Sequence, residues 1–191
     1  RFDFTRVSAR DIVKRLKDVI LKACVEVAPS CEAALKTALQ RESSPRARFA
    51  LEMLCKNAEA ARCYGLPACQ DTGMAVVFAE IGQDIRIEGG YIEDAINEAV
   101  RQAYAQGHFR MSVLDPLSRK NTGDNTPAVI HYAITEGDRL RINFLAKGFG
   151  SENMSRLYML KPSDGTEGVK RAAAETVKLA GSNPCPPIIM G

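Results

Sequence analysis

The sequence predicts an α+β fold: N-terminal helices, then a mixed or antiparallel sheet region with flanking helices. Three observations predict it. The first third of the chain carries only helical periodicity. Short apolar runs of strand length begin only after residue 66. From there strands and helices mix without the regular βαβ alternation of a doubly wound sheet. The 191 residues suit a single domain over 1–191, with a helical part over 1–65 and an α/β part over 66–191 that carries the polar loops.

Each element has its own signal. Ser8 stands before Ile12, Leu16, Val19, Ile20, Ala23 and Val27, a helical stripe with an N-cap. Pro29 interrupts it, and a second helix carries Leu35, Ala38 and Leu39. A third follows Ser44 as cap and Pro45 as first helical residue, and Gly65 stops it. "MAVVFAEIG" at 74–82 reads as a buried strand. In "GGYIEDAINEAVRQAYAQG" the residues Ile92, Ala95, Ile96, Ala99, Val100 and Ala103 form one helix face. "AVIHYAI" and "RLRINFLA" read as strands joined by "TEGD", a hairpin with Gly137 in its turn. A last helix starts at Ser163 or Asp164.

Composition narrows the function classes. A net charge of +3 is spread along the chain with no basic stripe, which argues against nucleic-acid binding. No run approaches the roughly 20 apolar residues of a membrane span, and no signal peptide precedes the first helix. Hydrophobic residues make up 46%, enough for a sizeable core. Six cysteines, at 24, 31, 55, 63, 69 and 185, lack any CxxC spacing. Reduced thiols in a cytoplasmic protein are expected. Cys24, Cys31, Cys55 and Cys63 fall on or beside helices and read as small buried hydrophobes. The chain starts at Arg1 without methionine and stops at Gly191, so both ends read as cuts.

Reactive residue types concentrate in loops that border strands, where a rigid scaffold can present them. "PACQDTG" offers Cys69, Gln70, Asp71 and Thr72. The loop over 108–127 offers His108, Arg110, Ser112, Arg119, Lys120, Asn121, Thr122, Asp124 and Asn125. The loop over 147–155 offers Lys147, Gly148, Gly150, Ser151, Glu152, Asn153 and Ser155. Each alone has a bland reading: "KNTGDN" as a turn, the arginines as surface charges, His131 as a sheet residue. Two histidines are too few for a histidine-based metal centre. Cys69 and Cys185 both sit in Pro-flanked loops, the stiff setting an iron–sulfur ligand needs, and such ligands can be far apart in sequence. Cys69 as a catalytic thiol is the competing reading.

"CQDTG" at 69–73, "RKNTGDNTPAVIH" at 119–131, "KGFGSENMS" at 147–155 and "NPCPPIIMG" at 183–191 resemble, in this order, the motifs of the iron–sulfur hydro-lyases of the class I fumarase and tartrate dehydratase family. The match spans essentially the whole chain. The resemblance implies an alpha subunit, or N-terminal domain, that works with a beta subunit or C-terminal domain in an oligomer. It implies a [4Fe–4S] cluster whose open iron binds a small dicarboxylate as a Lewis acid. Cys69 and Cys185 match two of the three cluster cysteines; the third lies past a Gly-rich stretch after "PPIIMG", so the chain reads as cut before it and inactive alone. Asp71 and Thr72 match the catalytic positions. Gln70, Arg110, Lys147, Gly148 and Gly150 match substrate contacts, and Phe149 departs from the three-glycine form of that loop.

The leading expectation is therefore class I fumarate hydratase, interconverting fumarate and L-malate. L-tartrate dehydratase is the alternative, since the same motifs serve both. A cluster-free, non-catalytic folding domain is the reading from a different class.

Overall fold

A computed structural model of the chain describes residues 4–185. β1 (Thr5–Ser8) runs directly into α1 (Ala9–Val25), with Ser8 as N-cap: its hydroxyl oxygen accepts from the Arg10 N–H at 3.2 Å. Of the predicted stripe, Ile12, Leu16 and Ile20 are buried, with Cys24 beside them, whereas Val19 and Ala23 are exposed and Val27 is half-buried. α2 (Pro29–Arg41) and α3 (Pro45–Tyr64) each open on a proline, whose missing N–H would have had no helical partner there. Ser44 does not cap α3 through its side chain. The Glu42 carboxylate instead accepts from the N–H groups of Ser43 and Ser44, both at 2.8 Å. α3 ends where predicted, at Gly65 with φ +65°. An Arg62–Glu32 ion pair at 2.7 Å ties α3 to α2.

Three strands form the main sheet: β2 (Met74–Gly82), β4 (Val129–Thr135) and β5 (Leu140–Lys147). Their order is β4-β2-β5, with β4 parallel and β5 antiparallel to β2. This corrects the expected hairpin: β4 and β5 do not pair, because β2 lies between them. The link between them arches over the end of β2, and the chain leaving β2 is tied to it. Gly82 N–H donates to Arg139 O at 2.9 Å, Gln83 N–H to Thr135 O at 2.9 Å, and Asp84 N–H to Gly137 O at 3.0 Å. Two strand spacings are roughly 10 Å, and a four-residue link reaches roughly 17 Å, so a hairpin-length turn can straddle a strand. β2 takes the centre because its alternate residues Ala75, Val77 and Ala79 are the most deeply buried of the sheet, and a central strand needs both edges paired. β1 pairs in parallel with β3 (Ile85–Glu88) as a separate two-stranded sheet that the sequence had not announced.

α4 (Ile92–Gln106) packs beside α1 on one face of the main sheet. Ile96, Ala99, Val100 and Ala103 meet Ile12, Leu16 and Ile20 there, over Val77 and the inward residues Ile142 and Phe144 of β5. The opposite face is open, and on it His131 of β4 stacks on Phe78 of β2 at 5.0 Å. A short 3-10 turn (Phe149–Met154) leads towards α5 (Gly165–Ala180). Asp164 precedes α5 but turns its carboxylate back onto the Lys161 N–H at 2.8 Å.

All six cysteines are free thiols. Cys24 is buried, and burial pushes its thiol up to about 12. Cys31 and Cys55 are half-buried, but Cys63 is exposed, so its reading as a buried hydrophobe fails. Its place in the last turn of α3 looks outward. Among the described residues no helix is long and apolar enough to cross a membrane.

Candidate active site

The loop that carries "CQDTG" is pinned before it reaches β2. Ala68 N–H donates to the Cys24 carbonyl near the end of α1 at 2.9 Å, and the Asn57 side chain of α3 donates to the Ala68 carbonyl at 2.7 Å. Cys69 and Gln70 follow at the surface, with the Cys69 thiol 3.9 Å from Gln70 Oε1. The chain then dives. Thr72 is 4% exposed, and its hydroxyl donates to the Arg110 carbonyl at 3.2 Å. The hydroxyl of Tyr104, on the buried face of α4, lies 2.8 Å from the Thr72 carbonyl and 3.3 Å from that of Gly73. Burial pushes the Tyr104 hydroxyl pKa up, which keeps it a donor.

Asp71 stands at the turn between these two halves. Its Oδ1 accepts from Gly73 N–H and from the Ser112 hydroxyl, both at 3.1 Å, and its Oδ2 makes no hydrogen bond among the described residues. Gly73 has φ +60°, and a Cβ there would lie 2.0 Å from the Lys147 carbonyl oxygen. Only glycine lets the turn pass so close to the end of β5. A Cβ on Gly148 would lie 3.3 Å from Asp71 Oδ2. The loops at 67–74, 108–127 and 147–155 therefore meet at one carboxylate.

The segment after Arg119 is what folds the middle loop. Asn125 is fully buried with φ +60°. Its Oδ1 accepts from Ser112 N–H at 2.7 Å and Val113 N–H at 3.2 Å, while Nδ2 donates to the Gly73 carbonyl at 3.0 Å. Asn121 donates to the Met111 carbonyl at 2.7 Å. Asp124 accepts from Thr126 and Arg101. These bonds, the Thr126 hydroxyl first, hold its carboxyl below the usual range. "KNTGDN" is thus more than a turn: it braces the Asp71 loop.

A cavity of about 660 Å³ opens over Asp71, lined by Arg110, Ser112, Arg119, Asn121 and Phe149 with Met74, Met111, Leu114 and Pro116. Neither guanidinium has a hydrogen bond or ion pair among the described residues, and Arg119 has φ +59°, rare for a side chain of its size. Lys147 is half-buried beside this cavity in sequence but is not among its lining residues, nor are Cys69, Gln70, Thr72, Gly148 or Gly150. Cys185 is exposed near the end of the described residues, and 186–191 of its motif lie outside them. Reading the sequence missed Tyr104, which looks like any apolar helix residue, and the bracing role of Asn125.

A second cavity, of about 610 Å³, lies at the other end of β2, under α1 and the start of β5. Its charged rim is partly tied up in the Arg6–Glu88 and Arg141–Glu80 ion pairs, and none of the four motifs reaches it. Of the sequence-predicted site residues, Asp71 and Arg110 line the first of these cavities and none lines the second.

Comparison with known proteins agrees in direction. The family model for fumarate hydratase (Fumerase) matches residues 13–191. "Putative L(+)-tartrate dehydratase subunit alpha" of Methanocaldococcus jannaschii is 37% identical over 93% of this chain and 66% of that protein. "Fumarate hydratase class I, anaerobic" of Escherichia coli K12 is 33% identical over 76% of this chain and 27% of that protein. "L(+)-tartrate dehydratase subunit alpha" of E. coli UTI89 is 29% identical over 82% of this chain and 53% of that protein. The chain thus spans from about a quarter to about two-thirds of the length of these relatives.

Proposed function

Since this chain belongs to the fumarate hydratase (Fumerase) family, we propose that it forms the alpha subunit, or N-terminal domain, of a hydro-lyase that interconverts fumarate and L-malate. One observation supports this most: a carboxylate with one oxygen hydrogen-bonded shares a cavity with two guanidiniums, and neither these nor its other oxygen has a hydrogen bond or ion pair among the described residues. A four-carbon dicarboxylate brings two negative ends. Arg110 and Arg119 against Asp71 leave the cavity net positive, and each planar guanidinium matches a carboxylate in bidentate fashion.

Dehydration of malate needs a base for the proton next to a carboxylate and an acid for the departing hydroxide. Asp71 offers Oδ2 for the proton while Oδ1 stays held by Ser112 and Gly73. Thr72 acts behind it, fixing the backbone at Arg110. Gln70 and Lys147 are proposed to meet the substrate carboxylates from the rim. Gly148 and Gly150 are proposed to let the 147–150 backbone approach the ligand.

A [4Fe–4S] cluster needs thiolate donors. Cys69 and Cys185 are both free and exposed thiols, so both are available to ligate iron. Among the described residues no group of three or more His, Cys, Asp or Glu is arranged to hold a metal. Cys69 and Cys185 are proposed as two of the three cysteine ligands that the family resemblance implies. When bound, the cluster supplies a Lewis-acidic iron for the substrate's hydroxyl and carboxylate.

A second reading, L-tartrate dehydratase, is favoured by the names of two of the relatives above. The test is turnover by the full-length alpha chain with its beta partner, prepared without oxygen, on fumarate and on L-tartrate. Faster turnover of fumarate supports the first reading and faster turnover of L-tartrate the second. A colourless protein inert towards both would leave only a non-catalytic folding domain.

A further inference from the structure

We propose that Ser112 is a positioning residue that aims Asp71, and that Asn125 is the fixed post that sets Ser112; this rests on the reading of Asp71 as the acid–base group. A carboxylate at the foot of a cavity can rotate about two side-chain bonds. The Gly73 N–H bond to Oδ1 is local to the turn and moves with it. The Ser112 hydroxyl comes from another loop, 41 positions away, and fixes the carboxylate against the cavity wall. The second acceptor in reach of Ser112, the Arg110 carbonyl, lies further off at 3.5 Å and already receives the Thr72 hydroxyl at 3.2 Å. The Ser112 proton therefore goes to Asp71.

Ser112 can aim Asp71 only if its own backbone is held relative to the turn. Asn125 does that with one side chain. Its amide oxygen takes the N–H groups of Ser112 and Val113, and its amide nitrogen reaches the Gly73 carbonyl. The amide orientation follows from the partners, since two donors face one end and an acceptor faces the other. Asn is also among the few residues that tolerate the left-handed backbone found here. Two loops are thus locked at one buried point, and the result is one Asp71 oxygen tied and the other without a hydrogen bond among the described residues. Preorganisation of this kind acts on the reaction step more than on substrate binding.

The test is a double-mutant cycle in the full-length enzyme with its partner. Ser112→Ala should lower kcat roughly 10- to 100-fold, the worth of a hydrogen bond to a charged group. KM should move less than about threefold, because no substrate contact is lost. Ser112→Thr keeps the hydroxyl and should recover most of the rate. In an Asp71→Ala background, Ser112→Ala should cost nothing further. A crystal structure of Ser112→Ala should show the Asp71 carboxylate turned from its place, at an unchanged melting temperature. An unchanged kcat, an equal loss in both backgrounds, or an Asp71 that stays put in that crystal would overturn the proposal. Failure of the underlying reading looks different: Asp71→Ala itself would turn over like the parent.

Discussion

Gly73 joins the Asp71 turn to the end of β5, and replacing it with alanine tests that junction. An added Cβ would meet three backbone atoms: Lys147 O at 2.0 Å, Lys147 C at 2.3 Å and Gly148 N at 2.5 Å. These belong to a paired strand end, Met74 opposite Lys147, so no side chain can swing aside. Gly65 is the matched control, with φ +65° and nothing within 4 Å of its Cβ position. Both alanines have to adopt the left-handed backbone, which costs about 1–2 kcal/mol. Both also restrict the unfolded chain to the same extent, so that effect cancels between them. Only Gly73→Ala has to force two backbones apart, at about 1–3 kcal/mol more. At about 2–4 °C per kcal/mol for a chain of this size, Gly73→Ala should melt roughly 2–12 °C below Gly65→Ala. The assay is thermal unfolding followed by circular dichroism, with both variants in one buffer. Equal melting temperatures would refute the close approach of the two loops.

Other consequences follow from single residues. Asn125→Ala strips partners from three backbone groups at a fully buried point and should destabilise the chain by about 2–4 kcal/mol in urea unfolding. Cys24 should resist iodoacetamide at pH 8 in the folded protein while exposed Cys63, Cys69 and Cys185 react, as mass spectrometry of the peptides will show. Its folded thiol is held at about 12 against 9.0 ordinarily, so the folded state keeps a proton that the unfolded state gives up. Stability should therefore fall as pH rises from about 9 towards 12, and Cys24→Ser or Cys24→Ala should flatten that slope. Arg110→Ala in the full enzyme should raise KM at least tenfold and leave the melting temperature within about 2 °C, because its guanidinium has no hydrogen bond or ion pair among the described residues.

Much of the fold was legible because helical faces write themselves every three to four residues. Ile12, Leu16 and Ile20, or Ile96, Val100 and Ala103, can be read without knowing what they pack on. Strand pairing leaves no such record. The link over 136–139 looks like a hairpin turn from within, and only the whole chain shows that β2 occupies the gap. β1 and β3 are four residues each and pair across some eighty positions, too short and too distant for a local pattern. At the candidate site, the family resemblance pointed to Asp71 and Arg110, which line one cavity. What they could not tell is which polar residues face the ligand and which brace the loops. Thr72 and Asn125 are the same kinds of residue as Ser112 and Asn121, yet the first two are buried and the others border the cavity.

The central claim is that Asp71 moves the proton. Asp71→Asn keeps the size and the bond from Ser112 but removes the basic oxygen. In the reconstituted full-length enzyme with its partner, kcat for fumarate hydration should fall roughly 100-fold or more, with iron content and colour equal to the parent's. An Asp71→Asn enzyme that keeps the parent's kcat within about threefold would contradict the account.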